Sequence, residues 1–301
     1  MDSCAITSHW EHYPKARAVV FHSRDIDQNS LKSFPFVRRQ DVPYIMMASE
    51  SPYYAHMAEY KNYFNWTMTY RKDSDVFGPY GGLVKNNQTA TINYTSIWKS
   101  KTKDVLWLVS NNIHVNNRRK EVVDKLKELG MNIDLYGQVY HNEPANCPRY
   151  GAMEECEEKL QKPYKFTIAF ENSNCKDYVT EKFWNKAGRY QMVPIVMERK
   201  IYRDLGIPDE IYVSIDDFPS LKEFVEYINR TAADEEKYMK FHRWREEFRI
   251  VSANEHEFGF CQLCQKLIDA KDKPTPRKSY ENLATWHSQL NCDNSFANKY
   301  L

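Results

Sequence analysis

Two cations and a few carboxylates are the residues of this chain whose types and spacing point to chemistry. Lys182 lies within about two turns of a helix start, in the stretch KFTIAFENSNCKDYVTEKFWNKAGRYQMVPIVM from Lys165 to Met197. The positive end of a helix dipole disfavours a cation by about a few tenths of a kcal/mol or more. A lysine placed there beside exposed backbone N–H groups suits a site where an anion, typically phosphate, binds between them. Taken singly, Lys182 reads more simply as a solvated lysine snorkelling outward, so the case for an anion rests on its surroundings. Arg118 and Arg119 stand near a second helix start, and a guanidinium fork binds phosphate bidentately. Arg118 in particular also fits an ordinary surface arginine. Asp73-Ser74-Asp75 invites a metal, but two carboxylates in a turn are more often hydrogen-bonded structure, and no catalytic metal is expected.

The elements around Lys182 explain its position. Lys165–Phe170 is an apolar run of strand type that ends in the polar cluster Glu171, Asn172, Ser173, Asn174, then Lys176 and Asp177. Val179, Phe183 and Ala187 recur at helical spacing, with Asp177 as the expected N-cap and Gly188 as the stop. Met192–Met197 supplies a second buried strand. Strand, polar loop, helix, strand is a βαβ unit, which holds ligands beyond the carboxyl ends of its strands. The layout repeats upstream: strand Val105–Ser110, polar loop Asn111-Asn112, a helix from about residue 117 with Val122, Val123, Leu126 and Leu129 inward, Gly130, and strand Asn132–Tyr136. Two such units, each with cations at the same end of a parallel sheet, suit a clamp on one diphosphate.

Earlier strands are expected at Ala18–His22, Tyr44–Ser49 and Asn65–Tyr70. The sequon-rich stretch 85–100 reads as a linker. The expected domains are therefore 1–98, 99–268 and a polar extension at 269–301. Strand Ile211–Ile215 and helices over 220–229 and 234–248 complete the second domain.

With 301 residues the chain is long enough for two domains. Its 42 basic and 41 acidic residues imply no strong pull toward nucleic acid or a membrane surface. The 21 Tyr and 7 Trp suit both cores and stacking on sugar or base rings. No apolar run of about 18 residues and no signal peptide is visible. Four sequons begin at Asn65, Asn87, Asn93 and Asn229. Of the seven cysteines, the lone Cys261/Cys264 pair lacks a partner motif for zinc. Disulfides in a secretory-pathway domain are the better reading, and Cys147 and Cys156 are candidates for a local bridge.

FENSNCKDYVTEKFW followed by VPIVM resembles the donor-binding signature of the α-1,3/4-fucosyltransferases. Cys4-Ala5-Ile6-Thr7, ARAVVFHSRDI, SESP, FNWTMTYRKDSDVFGPYG, WLVSNN, VSIDDF, FHRWR and FCQLCQKL fall in the family's order, from about residue 4 to 268. The resemblance implies an α/β GT-B architecture of two Rossmann-like domains facing across a cleft. It also implies GDP-fucose as donor, transfer with anomeric inversion to the 3-OH or 4-OH of N-acetylglucosamine, and no required cofactor.

Residue by residue, Lys182 and Arg119 match the family's diphosphate-binding cations, which neutralise the departing GDP. Glu181 matches a carboxylate on the donor hydroxyls. Asn172, Ser173 and Tyr178 are candidates for holding guanosine, ribose or fucose. Glu50 matches the general base that takes the acceptor's proton, although a strand-end carboxylate there also caps the following turn. The family's CxxC bonds back to the N-terminal domain, so Cys4 is expected to pair with Cys261 or Cys264, the other's partner lying upstream of Met1. A Golgi-lumenal type II protein is implied, with the membrane anchor absent from this chain. The competing readings are a catalytically inactive nucleotide-sugar or glycan-binding fragment, and a glycoside hydrolase using Glu50 and Glu181. The hydrolase leaves the paired cations without a purpose.

Overall fold

The computed structural model describes residues 4–26, 36–55, 60–111, 115–142, 147, 153–252, 258–270, 278–288 and 292–301. Asn112, expected in the loop after Ser110, lies outside them. The chain divides into two compact units, 1–80 with 253–292 and 81–252 with 293–301.

The first unit is built on four parallel strands in the order β1-β2-β3-β4: β1 Val19–His22, β2 Tyr44–Ala48, β3 Trp66–Thr69 and β4 Val76–Phe77. One face carries an aromatic core of Phe21, Tyr44, Tyr60 and Phe64. On the other, Leu263 of the helix Phe258–Asp269 packs with Ile45, Trp66, Met68 and Val76. Cys4 is bridged to Cys264, as the expected alternatives allow, and Cys261 is the free thiol among the described residues. Closing a 260-residue separation restricts the unfolded chain by about 5 kcal/mol on the chain-entropy model.

The second unit holds five parallel strands: β6 Lys103–Leu108, β7 Ile133–Tyr136, β8 Tyr164–Ile168, β9 Val193–Val196 and β10 Val213–Ser214. Their spatial order is β10-β9-β8-β6-β7. The central β8 is buried at every position, as a parallel strand covered on both faces must be. In chain order this is a doubly wound sheet whose direction of travel reverses between β6 and β8, the place where such sheets bind ligands. An antiparallel pair, β5 Gly81–Lys85 with β11 Phe248–Ser252, packs on the helix Glu181–Gly188. A Cβ at Gly81 would lie 2.5 Å from the Trp184 ring, so this approach requires glycine.

Several expectations change. The stretch 85–100 is not all linker: Asn93 caps a helix at Tyr94–Ser100 through Ser96 N–H. The helix expected over 234–248 stops at Lys240 and gives way to a 3₁₀ turn and β11, because Phe248–Ser252 finds a strand partner distant in sequence. The contacts divide the chain at residue 80 rather than near 98, since β5 belongs with β11. They also return the helix Phe258–Asp269 to the first unit, through Leu263. The 269–301 segment is not simply polar extension: Leu283 enters the first unit's core, and Phe296 and Ala297 enter the second's. Apolar groups this short in a polar tail leave no periodicity to read.

Asn65, the first sequon asparagine, is structurally engaged. Its Oδ1 accepts from Arg38 Nη2 (2.8 Å) and Tyr44 N (2.9 Å), and its Nδ2 donates to Lys278 O (2.9 Å). Asn87 is exposed. Peptide mapping of protein secreted from eukaryotic cells is therefore expected to find Asn65 unmodified and Asn87 open to glycosylation. Asn65→Gln should lower Tm by about 4 °C or more, from the lost hydrogen bonds, while Asn87→Gln leaves it unchanged. A glycan on folded Asn65 would contradict the assignment.

Candidate functional site

The site of the second unit forms where the loops after β6 and β8 meet at the reversal of strand order. The β8 loop turns sharply. Asp177 adopts a left-handed backbone (φ 62°), and Tyr178 N–H donates to Cys175 O at 3.1 Å. Asp177 is therefore not the helix cap. The helix begins later, at Glu181, and Thr180 caps it, its hydroxyl accepting from Lys182 N–H. The signal available in the sequence was a threonine immediately before Glu181.

Delaying the helix places Lys182 in its first turn, where it meets a buried carboxylate. Glu171, with its side chain 5% exposed, accepts from Thr180 N (2.7 Å), Thr180 Oγ1 (2.9 Å) and Lys182 Nζ (3.0 Å). Lys182 Nζ also reaches Thr180 Oγ1 at 2.9 Å and Glu181 Oε1 at 3.2 Å. Burial works against the lysine's charge, but the Glu171 and Glu181 carboxylates outweigh it and hold the ammonium above its ordinary value; Arg119 pulls the other way. Lys182 is thus a fixed, charged, one-third exposed ammonium rather than a loose surface lysine. Burial pushes the exposed-edge Glu181 up, yet Lys182 overcomes this and keeps it below the usual carboxylate range.

Across the sheet reversal, Arg119 is 3% exposed. Its guanidinium donates to Phe170 O (3.0 Å), at the end of the β8 run, and to Asn111 O in its own loop. It therefore ties the two loops together as well as placing a positive charge between them. Arg118, in left-handed conformation, lies at the surface beside Glu121 and Asn298. Asn117, two residues before Arg119, donates to Glu171 O (3.0 Å) and Asn174 Oδ1 (2.8 Å). Of the other expected donor contacts, Asn172 is half-buried, while Ser173 and Tyr178 are each 1% exposed.

Four buried amide atoms here, Asn117 Oδ1, Asn172 Oδ1, Asn174 Nδ2 and Asn294 Nδ2, have no hydrogen-bond partner among the described residues. Each such group costs about 1–3 kcal/mol, a cost expected where a polar ligand completes the network. From the sequence Glu171 and Asn174 are only members of a polar loop, and none of Glu171, Thr180, Asn117 and Asn174 is expected as a site residue. The roles of Asn117 and Glu171 depend on contacts 54 residues apart.

In the first unit, Glu50 stands just past the carboxyl end of β2, its carboxylate paired with Arg24 at 2.7 Å and its carbonyl 3.2 Å from the His287 ring. Asp73 is held by Arg71, and Asp75 accepts from Thr67 N, Lys278 Nζ and Tyr280 OH. These contacts are the hydrogen-bonded turn structure expected of DSD. Among the described residues no group of three or more His, Cys, Asp or Glu side chains is arranged to hold a metal. Cys147–Cys156 is bridged, and Cys175 and Cys292, not foreseen, are also in disulfide form. No helix among the described residues is long and apolar enough to cross a membrane.

Burial, helped by Arg71 and partly offset by the Glu50 carbonyl, lowers the His287 imidazole to about 4. Between pH 6.5 and 4 the unfolded chain binds a proton there that the folded one refuses. Stability falls as pH drops through that window, by on the order of 3 kcal/mol in all. His287→Gln, which can still donate to the Glu50 carbonyl, should flatten this acid limb in denaturant titrations at stepped pH. An unchanged slope would exclude His287 as its source.

The chain is similar to known proteins in both sequence and fold. Residues 1–81 match the family model "Fucosyltransferase, N-terminal", and 98–286 match "Glycosyltransferase family 10 (fucosyltransferase) C-term". The chain is 58% identical over 300 residues to alpha-(1,3)-fucosyltransferase fut-5 of Caenorhabditis elegans, covering 100% of this chain and 79% of that protein. It is 35% identical to 4-galactosyl-N-acetylglucosaminide 3-alpha-L-fucosyltransferase FUT6 of Homo sapiens, over 94% of this chain and 75% of that one. A solved alpha1,3-fucosyltransferase with GDP-fucose shares the fold at TM-score 0.54 and 12% identity, over 93% of this chain and 96% of that one. The fold is accordingly the α/β GT-B type.

Proposed function

Because the chain belongs to the glycosyltransferase family 10 fucosyltransferases, we propose that it transfers L-fucose from GDP-fucose to the 3-OH of an N-acetylglucosamine residue, with inversion at the anomeric carbon. The observation that carries this reading is the charged Lys182, held by Glu171 and Thr180 at the reversal of the five-stranded sheet, with Arg119 across from it. As the fucosyl bond breaks, negative charge builds on the departing diphosphate. Two preorganised cations there stabilise that charge without reorganising at the moment of reaction.

In this scheme Lys182 contacts the diphosphate, and Arg119 adds charge while bracing the two loops. Glu181, partly exposed beside Lys182, accepts from donor hydroxyls and supports the positive character of the reacting carbon. Asn172, Ser173 and Tyr178 hold the guanosine, ribose or fucose in this scheme, Ser173 and Tyr178 from positions only 1% exposed. Glu50 is the general base, taking the acceptor hydroxyl's proton as the oxygen attacks. The acceptor is a glycan of a glycoprotein or glycolipid, and terminal lactosamine and core N-glycan GlcNAc are the two forms to compare. The disulfides suit an oxidising compartment, and we place the protein in the Golgi lumen. No cofactor is invoked.

The test is an acceptor panel assayed with GDP-fucose, with the linkage and anomer of the product read by NMR. Lys182→Ala should lower kcat/KM by about 100-fold or more. Glu50→Gln should lower kcat by about 100-fold or more with GDP affinity intact. Retained turnover in Lys182→Ala would remove the diphosphate role. GDP binding by the wild type without transfer to any acceptor would favour the binding-module reading.

A further inference from the structure

The last nine residues of the second unit contact both loops that flank the sheet reversal, and they do so from a rigid base. Phe296 and Ala297 are buried in the unit's core (3% and 0% exposed), and Tyr300 OH donates to Ile215 O at 3.4 Å. From that anchor the chain brackets Asn174 in the β8 loop. Asp293 N–H donates to Asn174 O at 2.7 Å, and Asn294 Oδ1 accepts from Asn174 N–H at 3.2 Å. On the other side, Asn298 Oδ1 accepts from Arg118 Nη1 at 3.0 Å, next to Arg119. Asn174 in turn accepts from Asn117, which also holds the Glu171 carbonyl. Glu171 grips Lys182. One chain of hydrogen bonds therefore runs from Asn294 through Asn174 and Asn117 to the residues adjoining both cations.

We propose that residues 293–301 form a strap that sets the spacing of the Lys182 and Arg119 loops, with Asn294 as a positioning residue for diphosphate binding. The proposal rests on the donor-site reading above. A loop held in its ligand-ready geometry loses less freedom on binding. Both of Asn174's backbone hydrogen-bonding groups are used by the strap, so Asn174 cannot shift without breaking both bonds. Asn294 touches no proposed reacting group and acts through its Oδ1 on Asn174 N–H; direct contact of its unpartnered Nδ2 with the ligand is the alternative that Asn294→Asp, which lacks that donor, distinguishes.

The experiment uses the full chain and GDP itself, with calorimetric Kd, Tm, and transfer kinetics for wild type, Asn294→Ala and Asn294→Asp. Asn294→Ala should weaken GDP about tenfold, the equivalent of one lost hydrogen bond. KM for GDP-fucose should rise in step, while kcat stays within about twofold. Asn294→Asp retains an acceptor for Asn174 N–H and should restore most of the affinity. A folded Asn294→Ala protein with wild-type GDP affinity and only a lower Tm would overturn the strap's role and leave the donor site standing. Wild-type protein that binds no GDP would overturn both, so the two failures are distinguishable.

Discussion

The interaction on which the site depends is the grip of one buried carboxylate on a helix start. Glu171 receives the Thr180 backbone and hydroxyl and the Lys182 ammonium. It thereby caps the loop, stops the helix from beginning earlier, and supplies the counter-charge that lets a lysine stay ionised where the helix dipole opposes it. A buried ion pair is a weak source of stability, since desolvation offsets most of the attraction. Its value here is geometric. A carboxylate with both oxygens occupied leaves Lys182 little choice of position, and in the proposed transfer an ammonium already held in place serves the departing diphosphate better than one that must be ordered first.

The parallel sheet supplies the second constraint. Strands β6 and β8 are neighbours in space, but their helices leave in opposite directions, so their carboxyl-end loops part and leave a crevice. Arg119 and Asn117 tie those loops together with hydrogen bonds to Phe170, Asn111, Glu171 and Asn174. The C-terminal residues hold the β8 loop through Asn174. Behind the helix Glu181–Gly188, the β5–β11 pair presses so close that residue 81 has no room for a side chain. The lysine is thus fixed at one end by charge and at the other by packing.

Much of this is legible without coordinates. The apolar run into FENSNC, the return of apolar residues at helical spacing and the second strand mark a βαβ unit, and its repetition marks the sheet. What misled was local. Asp177 is a good cap by type, but its left-handed backbone puts it in the preceding turn. Phe248–Ser252 has helix-compatible neighbours and becomes a strand only because Gly81–Lys85 is available to pair with it. Cys175 and Cys292 gave no spacing cue, and Leu283, Phe296 and Ala297 sit in short apolar groups within a polar tail.

The sequence by itself determined the α/β class and the family and drew attention to Lys182 and Arg119, because these follow from periodicity and motif order along the chain. Tertiary structure alone decided which groups surround those cations: Glu171 beneath Lys182, Asn117 against the β8 loop, Asn294 against Asn174. The reason is distance in sequence. A buried polar group must find its partner wherever the fold brings one, and partners 54 or 120 residues away leave no periodic trace in the chain.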